Sequence, residues 1–113
     1  MNVTTSHTGD VAVMRVHDPR LTYPMLSDFS STAAGLIAGG EKKILLDLTT
    51  VGYVDSATIG CLMDLFRQAG QAGGSLKLCG VQKRVATMLT MTGANNFLEV
   101  YDDLPSGLAS FGG

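Results

Sequence analysis

The chain has 113 residues and a formal net charge of -2 at pH 7. This length suits one domain that buries its own core, and we expect residues 1–113 to form a single domain. The weakly acidic balance, with 8 scattered Lys and Arg, gives no electrostatic basis for binding nucleic acid or an anionic membrane.

The cysteines and the apolar runs indicate whether the protein binds a metal or crosses a membrane. Neither Cys61 nor Cys79 has a His or Cys neighbour at metal-ligand spacing, so we expect two small apolar residues, no metal and no cofactor. No apolar run approaches the roughly 20 residues that span a bilayer. The first residues lack the basic start and apolar stretch of a signal peptide. The sequence therefore predicts a cytoplasmic protein without a membrane partner.

The first half of the chain alternates strand and helix patterns. Val11–Val16 predicts a strand, and residues 3–6 carry a weaker signal for a partner strand. A loop over 20–23 leads to a helix over 24–39, which has a proline in its first turn and glycines at its end. The mostly apolar run 43–48 predicts a strand that is covered on both faces.

The second half continues the alternation. We expect Leu62 and Phe66 to lie on the buried face of the next helix, because they recur at helical spacing. In chain order the pattern predicts a helix over 56–72, a strand over 75–81, a helix over 82–92, a strand over 97–101 and a short helix over 103–111.

This order of elements predicts an α/β fold with crossover connections. If the strand 43–48, the helix 56–72 and the strand 75–81 form one right-handed unit, Ser56 lies beyond the carboxyl end of its strand. In open α/β sheets, ligands and partners usually bind at that edge.

The stretch Asp55-Ser56-Ala57-Thr58-Ile59-Gly60 opens the second long helix. A helix start has free N–H groups and a partial positive charge, and it therefore favours an added anion. Ser56 can cap the helix, or it can accept a phosphate that the backbone helps to hold. The local sequence leaves both interpretations open.

The same six residues resemble the Asp-Ser-x-x-Leu/Ile-Gly signature of STAS domains, which include the bacterial anti-sigma factor antagonists. The resemblance runs from about Val11 to Tyr101 and includes Gly73-Gly74 before a strand and Thr92-Gly93 at a helix end. It implies a STAS-like domain with a central mixed sheet of four to five strands and helices mainly on one face.

The resemblance also implies a function. In the anti-sigma factor antagonists, a histidine-kinase-like ATPase that is also the anti-sigma factor phosphorylates the signature serine, and a PP2C-type phosphatase resets it. The unphosphorylated antagonist binds that kinase and frees the sigma factor. The chain is then a non-enzymatic regulator with Ser56 as its phosphate acceptor. The alternative is a STAS interaction module, never phosphorylated, in a larger signalling or transport assembly.

Position by position, the resemblance places Asp55 and Thr58 on the partner surface, with Thr58 where the family usually has glycine. Lys83 opens the third helix with a second basic residue. Lys83 is either a solvated residue or a contact to an acidic partner at the same edge as Ser56.

The loop with Arg20, Thr22 and Tyr23 is the other predicted part of the partner surface. Parallel neighbouring strands bring their following turns to the same end of a sheet, so this loop is expected beside Ser56. Arginine and aromatic side chains are favoured anchors of interfaces, although Tyr23 could instead pack over the next proline. The segment reads Asp18-Pro19-Arg20-Leu21 where the family usually has Gly-x-Leu-Asp.

The two histidines offer the one candidate for catalysis. His17 could lie near Ser56 and form a Ser/His pair. No Gly-x-Ser-x-Gly turn surrounds Ser56, and we expect His7 and His17 to be solvated rather than catalytic.

Overall fold

A computed structural model describes residues 2–112. The strands are β1 (Val3–Thr8), β2 (Val11–Val16), β3 (Arg20–Leu21), β4 (Lys43–Asp47), β5 (Tyr53–Val54), β6 (Ser75–Cys79) and β7 (Val100–Tyr101). The α-helices are α1 (Leu26–Ala38), α2 (Ser56–Gln71), α3 (Lys83–Thr92) and α4 (Leu104–Ala109), with 3-10 turns at Tyr23–Met25 and Ala94–Asn96.

The centre of the fold is a five-stranded mixed sheet in the order β1-β2-β4-β6-β7. Only β1 runs antiparallel to its neighbour, and the other pairs are parallel. Helices α1, α2 and α3 pack on one face, whereas α4 covers Val11, Val13, Leu45 and Cys79 on the other. This arrangement confirms the predicted α/β fold, its mixed sheet and the concentration of helices on one face.

Glycines with a left-handed backbone conformation end helices α2 and α3. Helices α2 and α3 are followed by Gly73 and Gly93, whose φ angles are 81° and 78°. Glycine adopts this left-handed conformation without a steric penalty, and the turn redirects the chain back toward the sheet. Helices α2 and α3 therefore end at the glycines where the sequence predicts that they end.

One predicted strand and one predicted loop differ from the structure. The strand expected over 97–101 is reduced to Val100–Tyr101, because Ala94–Asn96 forms a 3-10 turn and Phe97 is exposed. The segment expected as a loop over 20–23 contains β3, which pairs in parallel with β5. A ladder of two residue pairs carries too little periodicity to be read from a sequence.

The buried face of α2 is also rotated relative to the prediction. Leu62 is fully buried as expected, but Phe66 is only half-buried and packs at the margin of the core. Leu65 takes the central position instead, with no exposed surface. Within residues 2–112, no helix combines the length and apolar character required to cross a membrane.

Candidate functional site

Three turns come together at the carboxyl end of the parallel strands. The turn after β2 and the turn after β4 are joined by a hydrogen bond of 2.8 Å from the Gly52 N–H to the Pro19 carbonyl. The turn after β6 joins them because the Gln82 side-chain amide donates to the Thr49 carbonyl over 2.8 Å. Lys83 is exposed directly after Gln82, so the start of α3 lies at this edge.

Asp55, and not Ser56, caps helix α2. Asp55 has an extended backbone (φ -104°, ψ 176°), and its Oδ1 accepts a hydrogen bond of 2.9 Å from the Thr58 N–H. Ser56 is the first helical residue, and it is exposed. The capping interpretation of Ser56 is therefore wrong, because the neighbouring carboxylate performs that task and leaves the serine hydroxyl at the surface.

Asp55 also holds the loop that follows β2. Its second carboxylate oxygen, Oδ2, accepts a hydrogen bond of 2.9 Å from the Tyr23 N–H. Strands β3 and β5 pair Arg20 with Tyr53, and the Arg20 guanidinium lies 4.4 Å from the centre of the Tyr53 ring. Tyr23 is 72% exposed. The loop with Arg20 and Tyr23 is thus adjacent to the Ser56 turn, as the parallel strands predict.

Thr58 does not lie on the surface. Its side chain is fully buried, and Oγ1 is 2.7 Å from the Leu21 carbonyl oxygen and 2.7 Å from Asp55 Oδ1. The prediction that Thr58 contacts a partner is wrong for this side chain, because the first turn of α2 packs directly against β3. Thr22 is half-buried, and its carbonyl accepts from the Met25 N–H over 2.9 Å to start the 3-10 turn.

The electrostatics of Asp55 reflect these contacts. Partial burial acts to raise the pKa of the Asp55 carboxyl, but hydrogen bonds from the Thr58 hydroxyl and from the Tyr23 and Thr58 N–H groups outweigh it. The pKa of Asp55 consequently lies below its ordinary value. Asp55 is therefore ionised at neutral pH, directly beside the Ser56 hydroxyl.

The histidine rings are hydrogen-bonded to residues other than Ser56. The His17 ring nitrogen Nε2 lies 2.8 Å from the Thr4 hydroxyl, and His7 Nε2 lies 2.6 Å from a Glu41 carboxylate oxygen. The candidate Ser/His pair is thus not formed. Among residues 2–112, no group of three or more His, Cys, Asp or Glu side chains could hold a metal ion.

The match to a known family covers nearly the whole chain. Residues 2–107 match the STAS domain family. The chain belongs to the STAS domain family. A protein of Thermotoga neapolitana, named as a candidate anti-sigma factor antagonist, is 29% identical over 61% of this chain. The anti-sigma F factor antagonist of Paenibacillus polymyxa is 28% identical over 55% of it. The matches span only 61% and 53% of those two proteins.

Solved structures share the fold of this STAS domain at low sequence identity. An anti-sigma factor antagonist domain protein from Planctomyces limnophilus has a TM-score of 0.88 at 20% identity, with 98% of each chain covered. Phosphorylated SpoIIAA of Bacillus has a TM-score of 0.68 at 14% identity, with 88% of this chain and 90% of that chain covered. The murine anion transporter Slc26a9 has a TM-score of 0.75 at 16% identity, and the match covers 92% of this chain but 18% of the transporter.

Two features of this STAS domain were not predicted from its sequence. Asp55 precedes Thr58 by three residues, and this spacing of a capping carboxylate and its target N–H was the available signal for its role. The hydrogen bond from Thr58 to the Leu21 carbonyl joins residues 37 apart in the chain, and no local pattern indicates it.

Proposed function

We propose that this STAS domain is an anti-sigma factor antagonist. It binds an anti-sigma factor of the histidine-kinase-like serine kinase class, and phosphorylation of Ser56 by that kinase releases it. A PP2C-type phosphatase restores the binding form. This function assigns the chain to the cytoplasm, where sigma factors act, and gives it protein partners rather than nucleic acid, membrane or substrate.

The placement of Ser56 carries this proposal. Its hydroxyl is exposed at the first position of α2, and Asp55 already caps the helix. Phosphorylation of Ser56 therefore removes no hydrogen bond on which the helix start depends. The free N–H groups and partial positive charge of a helix start help to hold a phosphate at this position.

The neighbours of Ser56 supply the partner surface. The exposed Tyr23 ring and the Arg20 side chain, which stacks on Tyr53, lie on a loop that Asp55 fastens to the same turn. Large aromatic and arginine side chains are the residues that most often dominate binding energy in interfaces. Lys83 lies at the same edge and can contact acidic groups of the partner.

The negative charge of a phosphate on Ser56 explains why phosphorylation would release the partner. A phosphate adds about -1.5 to -2 charge units at neutral pH. This charge would stand beside the ionised Asp55, and a docked partner would exclude water from both groups. A penalty of roughly 3 kcal/mol weakens binding by more than a hundredfold, because about 1.4 kcal/mol is tenfold.

The test is phosphorylation by purified candidate kinases of the histidine-kinase-like ATPase class. Each kinase is incubated with ATP and the protein, and the segment 53–67 is then measured by mass spectrometry. We expect one phosphate on Ser56, loss of the signal in Ser56→Ala, and removal by a PP2C-type phosphatase. Phosphate transfer to other residues alone would contradict the proposal.

One observation favours a second function. The fold matches 18% of an anion transporter chain, which places a STAS domain inside a larger transport protein. As an interaction module of that kind, the chain would bind its partner equally well with or without negative charge at position 56. Equal partner affinity of the wild type and Ser56→Glu would favour this function over partner switching.

A further inference from the structure

Thr58 is an unusual residue for the interior of this protein. Its side chain has no exposed surface, although it lies within one helical turn of the exposed Ser56. Burying a hydroxyl costs free energy unless it finds hydrogen-bond partners. Thr58 Oγ1 has two such partners at 2.7 Å, the Leu21 carbonyl oxygen and Asp55 Oδ1.

The two partners belong to different parts of the site. Leu21 ends β3 and lies two residues before Tyr23, whereas Asp55 caps α2. Asp55 also accepts the Tyr23 N–H on its second oxygen over 2.9 Å. Leu21, Tyr23, Asp55 and Thr58 therefore form a closed set of contacts, which we call the Thr58 network.

A hydroxyl has one hydrogen, so Thr58 donates to either Leu21 or Asp55 at a given moment. When it donates to Leu21, it holds the end of β3 directly. When it donates to Asp55, it orients the carboxylate whose other oxygen holds the Tyr23 N–H. Both arrangements fasten the loop to the start of α2.

Other contacts also attach the loop to this turn, but they lie before Tyr23. The Pro19 carbonyl accepts the Gly52 and Tyr53 N–H groups over 2.8 and 3.3 Å. The Leu21 side chain is fully buried in the core. Strands β3 and β5 contribute a ladder of two residue pairs, Arg20 with Tyr53 and Leu21 with Val54. Tyr23 is 72% exposed, and packing of its side chain contributes little to its position. The position of Tyr23 therefore depends on the backbone contacts of the loop.

We propose that Thr58 is a positioning residue that holds the loop 20–23, and with it Tyr23, in place beside Ser56. The importance of this loop to a partner rests on the function proposed above. The positioning itself is a property of the free protein, and it can be measured without any partner.

The test compares Thr58→Val, which keeps the shape of the side chain without a donor, with Thr58→Ser, which restores the hydroxyl. Native-state hydrogen exchange reports the opening of the Tyr23 N–H, and NMR titration reports the pKa of Asp55. Thr92→Val is the matched control, since the Thr92 hydroxyl bonds within α3 to the Met88 carbonyl over 2.9 Å.

We expect Thr58→Val to speed Tyr23 exchange by about tenfold, as loss of a typical hydrogen bond would. The pKa of Asp55 should rise in the same variant, because a donor to its ionised form is lost. Thr58→Ser should restore both values, and Thr92→Val should change neither.

Wild-type Tyr23 exchange in folded Thr58→Val, or failure of Thr58→Ser to restore it, would overturn the proposal. If Thr58→Val does not fold, the same comparison is made with Thr58→Cys, whose thiol is a weak donor of similar volume. Failure of the proposed function would instead be seen in kinase binding, which these measurements do not involve.

Discussion

Replacing Asp55 by alanine should remove two stabilising features at once. The helix cap to the Thr58 N–H is worth about 1 kcal/mol in similar helices. The bond from the Tyr23 N–H to an ionised acceptor adds about 1.5 kcal/mol. Urea unfolding of Asp55→Ala at pH 7 should therefore show a loss of roughly 2.5 kcal/mol in the free energy of unfolding.

Asp55→Asn separates these two contributions. Asparagine keeps a carbonyl oxygen for the cap, but its amide group cannot accept the Tyr23 N–H. This variant should lose roughly 1.5 kcal/mol, the part that belongs to the loop.

The pH dependence gives a further check. The pKa of Asp55 in the folded protein is below its ordinary value, so the ionised carboxylate stabilises the fold at neutral pH. That contribution is complete above the ordinary pKa of about 3.9 and is lost as the pH falls through the lower folded-state pKa. The difference in unfolding free energy between wild type and Asp55→Ala should therefore shrink as the pH falls below the ordinary pKa of an aspartate. A gap below about 0.5 kcal/mol at pH 7, or one that is unchanged in acid, would refute this reasoning.

The other predictions concern packing and burial. Leu65→Ala should cost about 2–5 kcal/mol in urea unfolding and Phe66→Ala distinctly less, since only Leu65 is fully buried; the reverse order would show that the face of α2 is misassigned. In thermal melts, Gly70→Ala should stabilise the protein by about 0.5–1 kcal/mol, because a Cβ there meets no atom within 4 Å. Gly74→Ala should destabilise it, because its Cβ would lie 2.8 Å from a backbone oxygen. Burial and nearby carboxylates raise the pKa of Cys79 to about 12, so iodoacetamide near pH 8 should label this thiol far more slowly in the native than in the unfolded protein.

The sequence predicts those parts of the fold that depend on local periodicity. Apolar runs and glycine stops locate β2, β4, β6, α2 and α3, because each has enough residues to show its period. The signature around Ser56 locates the edge of the sheet where the site lies.

The sequence does not predict the contacts that connect distant segments. The Tyr23 N–H reaches Asp55 across 32 residues, and Thr58 reaches Leu21 across 37. These contacts depend on the crossing of two turns in space, and they fasten the loop to Asp55 and bury the Thr58 side chain against β3. A buried threonine and an exposed serine, two residues apart, look alike in the sequence.

The most direct test of the proposed switch is calorimetry with the histidine-kinase-like ATPase that is proposed as the partner. Four proteins are compared: wild type, Ser56→Ala, Ser56→Glu and the control Ser75→Glu. Ser75 is an exposed serine at the start of β6, at the opposite end of the parallel strands from Ser56. We predict that Ser56→Glu weakens binding about a hundredfold, while Ser56→Ala and Ser75→Glu bind like the wild type. Wild-type affinity in Ser56→Glu, or an equal loss in Ser75→Glu, would contradict the account.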